Sequence, residues 1–138
     1  LHVDAPVVGV ALLPTGDLDV PDNPDVVGWW ASAARPNSAK GSVVMVAHVD
    51  SAAFGLGVFV VLRSAEVGDT VEIAGSKGEA RRYTVTARRN YAKSSLPAAE
   101  VFSQDVAERL VLITCGGQFN TVTRHYDENV VVYAIPTD

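Results

Sequence analysis

Three residue types that can together run acyl transfer stand far apart in this chain: His48, Cys115 and Arg124. A thiolate is a strong nucleophile, an imidazole moves protons near neutral pH, and a guanidinium offers permanently charged donors to an oxyanion. Cys115 is the sole cysteine of 138 residues, so an internal disulfide framework and any multi-cysteine zinc or iron–sulfur site are excluded. Three readings of it stay open: an inert core thiol, an intermolecular linker, or a nucleophile with a base beside it. It ends the run Leu110-Val111-Leu112-Ile113-Thr114 and precedes Gly116-Gly117, where the backbone can turn sharply or admit a ligand closely. His48 ends a second apolar run in the same way and could be structural or catalytic. His2 lies at a terminus that would fray, and His125 directly follows Arg124.

These residues need rigid elements to hold them, and the patterning predicts mostly strands. The chain has 24 valines and three lysines, a balance that favours β structure. Short apolar runs bounded by Gly, Pro, Asp and Asn predict strands over 7–13, 18–20, 42–49, 70–74, 82–87, 110–115 and 129–135. The 42–49 run is nearly all apolar, as expected of a strand covered on both faces. Asn23-Pro24 reads as an N-cap followed by proline, opening a short helix toward Trp29. A second short helix is expected over 96–102. The expected fold is all-β, a barrel of seven or eight strands with one or two helical turns, in one domain spanning 1–138.

Composition narrows the function further. Hydrophobic residues make up 48% and charged residues 20%, which excludes a disordered chain. A net charge of −5 argues against nucleic acid or an anionic membrane as the main partner, since nothing would neutralise the phosphates. No run approaches the ~18 apolar residues of a membrane span. Leu1-His2-Val3-Asp4 lacks the order of a signal peptide, and any anchoring segment would lie upstream.

Leu112-Ile113-Thr114-Cys115 resembles the Leu-x-Thr-Cys signature of the sortases, with Val111 where that signature usually carries Thr. Arg124 follows at the sortase spacing, and His48 precedes at a strand end. The resemblance extends through Val27-Gly28-Trp29-Trp30, Phe59-Val60-Val61-Leu62, Val67-Gly68-Asp69 and the ending Tyr126-Asp127-Glu128-Asn129-Val130-Val131-Val132-Tyr133-Ala134. Gly116-Gly117 and that ending look most like the class F sortases of actinobacteria. The resemblance implies an eight-stranded barrel and an extracellular cysteine transpeptidase, expected as a monomer tethered to the cell membrane by an N-terminal segment. Such enzymes cut a Leu-Pro-x-Thr-Gly-like sorting signal on surface proteins between Thr and Gly. They pass the acyl group to an amine, commonly of a peptidoglycan precursor, without a cofactor. Cys115 is then the nucleophile, His48 the acid and base, and Arg124 the oxyanion or carbonyl partner, with a backbone N–H near Thr114 or Cys115 assisting. Leu96, Pro97 and Val101 would wall the signal groove, or equally would be helix-to-core packing.

Other features carry less. Asp17, Asp19, Asp22 and Asp25 lack the calcium-loop spacing and read as turn residues, so no metal site is expected. Arg81-Arg82 and Arg88-Arg89 read as solvated strand faces. Of Trp29 and Trp30, one is expected in the core and one at the surface. Asp50 lies two residues past His48, on the same side of an extended chain, where it could orient the imidazole or simply open a loop. The L,D-transpeptidase signature places a histidine two before the cysteine, where this chain has Ile113. The remaining rival is a non-catalytic extracellular β-barrel binding module with Cys115 buried.

Overall fold

The computed structural model describes residues 4–14, 17–75, 77–123 and 125–137, with backbone alone at 115–118 and 125. Seven strands form one curled sheet in the order β1-β2-β3-β8-β9-β7-β6. They are β1 (Val7–Val10), β2 (Val27–Trp30), β3 (Ser42–Val46), β6 (Thr70–Ala74), β7 (Ala80–Ala92), β8 (Arg109–Asn120) and β9 (His125–Pro136). A separate hairpin pairs β4 (Asp50–Ser51) with β5 (Gly55–Leu56). The helical parts are short: 3₁₀ turns at Val58–Ser64 and Lys93–Ser95, and one α-helical turn, α1 (Ala98–Val101). The all-β expectation holds, as a half-barrel rather than a closed barrel of eight strands. Its edges, β1 and β6, face each other across a cleft of about 460 Å³ lined by Val7, Gly9, Ile73 and Ala74.

The centre of the sheet is β3, β8 and β9, and alternation gives these strands two buried faces. Val43, Met45, Leu110, Leu112, Val130 and Val132 line the inner face with Tyr83, Phe59 and Leu62. Val44, Val46, Val111, Ile113 and Val131 form the other face, covered by Val101 with Leu96 and Phe102 packed against it. This double burial is why the 42–49 run is apolar at almost every position. Val101 is fully buried, which stabilises the seat of α1 by roughly 1.5–3 kcal/mol. Trp30 meets the Phe102 ring edge-on at 5.6 Å. Trp29 packs against the inner cluster and Trp30 against the outer one, so both are half-buried, on opposite faces.

Two expected elements do not form. Residues 23–26 make a turn instead of a helix: the Asp25 N–H bonds Asn23 Oδ1 at 2.9 Å and the Val26 N–H bonds the Asn23 carbonyl at 3.0 Å. The asparagine closes a local turn and the chain enters β2 at Val27, so its capping chemistry is spent without a helix following. Residues 18–20 make only an isolated bridge, Leu12 to Leu18. In the other direction, β7 and β8 run longer than their apolar cores suggest. Phe59-Val60-Val61-Leu62 is a 3₁₀ segment whose buried side chains are Phe59 and Leu62, the i, i+3 spacing of that helix.

At the end of the sheet away from position 115, Glu108 is buried and organises its surroundings. Its carboxylate accepts from Tyr83 Oη at 2.6 Å, from the Asn37 N–H at 3.0 Å and from the Ala39 N–H at 3.1 Å. Arg81 Nε stands 3.5 Å away. Asn37 and Ala39 have φ of 68° and 67°, a left-handed conformation costly for alanine, and the carboxylate rewards it by collecting both N–H groups. Burial alone would raise the Glu108 pKa, but the Tyr83 hydroxyl, the two N–H groups and Arg81 together hold it below the usual carboxylate range. A depressed folded pKa adds stability above the ordinary carboxylate range, and this is lost as pH falls through the folded value. Glu108→Gln is therefore expected to cost about 2 kcal/mol at pH 7. Its deficit against wild type should shrink as pH falls below the ordinary carboxylate range, measured by urea unfolding at both ends. An equal deficit at neutral and acid pH would refute this role.

Candidate active site

Parallel pairing of β3 with β8 brings two distant segments together. The register runs from Ser42 opposite Arg109 to Val46 opposite Ile113. Beyond it the Ala47 N–H still bonds the Ile113 carbonyl at 3.3 Å, and Thr114 Oγ1 donates to the Ala47 carbonyl at 2.8 Å. His48 and Cys115 each lie two residues past the last register pair. They therefore both lie just past the end of the β3–β8 pairing, on segments that leave it side by side and in the same direction.

His48 is half-buried and its backbone is fixed on both sides. Ala47 is held by Ile113 and Thr114, and the buried Val49 accepts from the Gly57 N–H at 2.8 Å. Gly57 is required there: a Cβ would come within 2.4 Å of Pro24. The histidine thus sits on a rigid segment with part of its ring surface open, suited to proton transfer at a substrate.

Cys115 lies past the pairing with β3 but not at the end of its own strand. β8 continues to Asn120, with Cys115 opposite Asn129 and Gly116 opposite Glu128. The register shifts between Gly116 and Phe119, so Gly116-Gly117 enters a β-bulge region and not a turn. The turn comes at 121–123, where Asn120 Oδ1 accepts from the Val122 and Thr123 N–H groups at 2.9 and 3.1 Å. Arg124 lies outside the described residues; the described chain resumes with His125 opposite Asn120.

The expected groove residues fall on one face of the sheet. Leu96 and Pro97 are half-buried, while Val101 is fully buried among Val44, Val46, Val111, Ile113 and Val131. Of the three, Leu96 and Pro97 keep surface that a ligand could touch, and Val101 takes the core-packing role. The Thr114 side chain is buried and committed to Ala47. Asp50 accepts from Tyr126 Oη at 2.6 Å, a partner that local sequence gives no means of choosing because it lies 76 residues away. That bond, with the Phe119 ring edge-on to Tyr126 at 5.2 Å and Arg63 4.9 Å over its ring, was not foreseen from the sequence. Hydrogen bonding to Asp50, with burial, raises the Tyr126 pKa against an opposing effect of Arg63. Among the described residues no three His, Cys, Asp or Glu side chains gather as metal ligands, and no helix is long and apolar enough to cross a membrane.

No curated protein matches the chain. Among solved structures, sortase A from Corynebacterium diphtheriae is similar at 22% identity and a TM-score of 0.62, over 81% of this chain and 48% of that one. The Group B Streptococcus pilus island 1 sortase C2 is similar at 17% identity and a TM-score of 0.72, over 100% of this chain and 69% of that one. Sortase C-1 from Actinomyces oris gives 16% and 0.63, over 81% and 58%. The chain spans about half the length of the C. diphtheriae enzyme, and at these identities the likeness is one of fold. The sortase-domain family model, however, matches residues 1–137, nearly the whole chain. With its curled β-sheet and this match over residues 1–137, the chain belongs to the sortase family.

Proposed function

We propose that this domain is a cysteine transpeptidase that cuts a Leu-Pro-x-Thr-Gly-like sorting signal between Thr and Gly. The observation that supports the reading is the parallel β3–β8 register, beyond which His48 and Cys115 each follow by two residues. The Cys115 thiolate attacks the Thr carbonyl and forms a thioacyl-enzyme as the C–N bond breaks. His48, as imidazolium, gives its proton to the departing Gly amine. As imidazole it then takes one from the incoming amine, which attacks the thioacyl carbon and releases the thiolate. Arg124 holds the substrate carbonyl or the developing oxyanion, assisted by a backbone N–H near Thr114 or Cys115. Leu96 and Pro97 contact the Leu-Pro part of the signal. The acceptor is the amine of a cell-wall peptidoglycan precursor. The domain acts as a monomer on the extracellular face of the membrane, tethered through an N-terminal segment. The Gly116-Gly117 pair and the closing-strand sequence favour the class F subtype.

Incubation with Leu-Pro-x-Thr-Gly and Leu-Ala-x-Thr-Gly peptides and an amine acceptor, followed by mass spectrometry, tests this reading and the signal's second residue. A thioacyl adduct on Cys115 and the transpeptidation product are expected. Cys115→Ala should yield neither, and retained cleavage by that variant would sink the mechanism. His48→Ala should slow acylation by about 10²–10⁴-fold, and Arg124→Ala by about 10²–10³-fold. A thiol unreactive to alkylation, with no adduct, would point instead to a binding module.

The strand-end lock offers a separate check. Thr114→Val leaves the Ala47 carbonyl without its buried donor and should cost about 1–3 kcal/mol in urea unfolding. It should also slow acylation at temperatures where the variant stays folded, because Ala47 precedes His48. Thr114→Ser keeps the hydroxyl and should restore most of both. Equal behaviour of Val and Ser variants would show that the hydroxyl does not set the site.

A further inference from the structure

The Asp50–Tyr126 bond joins two segments that the proposed chemistry depends on. Asp50 is two residues past His48, and Tyr126 is two residues past Arg124. Tyr126 Oη donates to Asp50 Oδ2 at 2.6 Å, a charge-assisted bond of the stronger kind. The phenol ring is held in place by two further groups. Phe119, its register partner on β8 beyond the bulge, packs edge-on at 5.2 Å. Arg63 lies over the ring at 4.9 Å from the 3₁₀ segment, and its Nε and Nη2 are buried and make no hydrogen bond among the described residues. The Arg63 carbonyl in turn accepts from Arg88 Nη1 on β7. From Asp50 the chain passes through the β4–β5 hairpin and returns at Gly57, whose N–H closes on Val49.

The segment carrying His48 is therefore held at two points. Thr114 and Ile113 hold it at Ala47, on the β8 side. Tyr126 holds it at Asp50, from β9. Without the second hold, the sequence from 48 to 57 would depend on the short β4–β5 hairpin and the Val49–Gly57 bond, which are worth little alone. A shift of about 1 Å in a proton-transferring group can cost about 10²-fold in rate.

We infer that Tyr126 is a positioning residue: its bond to Asp50 fixes the His48 segment against the β8–β9 hairpin, and so sets the histidine relative to Cys115. This rests on the transpeptidase reading for its catalytic consequence and on the structure alone for its mechanical one. The phenol acts by donating a proton that it does not lose. It touches neither substrate nor thiol in this scheme.

The test compares Tyr126→Phe, Asp50→Ala, their double variant and Asp50→Asn in two assays. The first is steady-state transpeptidation with a Leu-Pro-x-Thr-Gly peptide. The second is native-state hydrogen exchange at the Gly57 amide. Tyr126→Phe and Asp50→Ala should each lower kcat about 10-fold, with KM within about 2-fold, and raise Gly57 exchange about 10-fold. The double variant should lose no more than either single one, because both remove the same bond. Asp50→Asn keeps an acceptor oxygen and should recover most of the loss. Unchanged Gly57 exchange overturns the brace. Raised exchange with unchanged kcat, or losses that multiply in the double variant, overturns the positioning role. If wild-type protein forms no thioacyl adduct, the transpeptidase reading fails while the exchange data still decide whether the brace exists.

Discussion

The parallel pairing of β3 with β8 is the constraint on which the rest of the structure depends. Parallel neighbours cannot be joined by a tight turn, so 62 residues of chain, 47–108, must leave the end of β3 and return to the start of β8. That excursion contains the β4–β5 hairpin, the 3₁₀ segment, β6, β7 and α1. The excursion also covers the pair: Phe59 and Leu62 pack on one face, Leu96 and Val101 on the other. Because both strands point the same way, their C-terminal ends coincide, and residues far apart in sequence meet at one rim. An antiparallel arrangement of the same two runs would put His48 and Cys115 at opposite ends.

The two ends of the sheet use polar groups differently. At the far end Glu108 gathers three hydrogen-bond donors and the Arg81 charge, and fixes a loop whose backbone is locally unfavourable at Ala39. This is a static assembly in which every bond serves the shape. At the rim the polar groups come in smaller units, Thr114 with Ala47 and Tyr126 with Asp50. These hold the backbone on either side of His48 and leave the imidazole partly exposed. Rigid support beneath a free functional group is the arrangement that proton transfer requires.

Much of this was legible from the residues. Val43 to Val46 and Val111 to Ile113 are apolar at successive positions because both of their faces are covered, so the central strands stood out. The helix expected over 96–102 is present as the single turn Ala98–Val101, since its cover of the sheet needs only Val101 and its neighbours. The failures have local causes. Asn23-Pro24 carries the composition of a helix start, but the Asn23 side chain closes a turn on itself and Val27 is drawn into the sheet. Gly116-Gly117 has the composition of a turn, but the pairing of Cys115 with Asn129 and of Gly116 with Glu128 carries the strand through. Strand pairing outweighs local preference in both cases. The Asp50–Tyr126 bond had no local signal at all, because only the completed topology brings its two residues together.

The separation that parallel pairing imposes also orders events in time. Contacts between Val46 and Ile113 close a loop of more than sixty residues, whereas only four residues separate β8 from β9 in their hairpin. Loop-closure entropy makes the hairpin an early structure and the β3–β8 pairing a late one. A nascent or partly folded chain would thus carry Cys115 on a formed hairpin, with its histidine still elsewhere. If the proposed mechanism holds, thiol and imidazole would come together only with the last long-range contact, so the onset of activity would report completion of the fold.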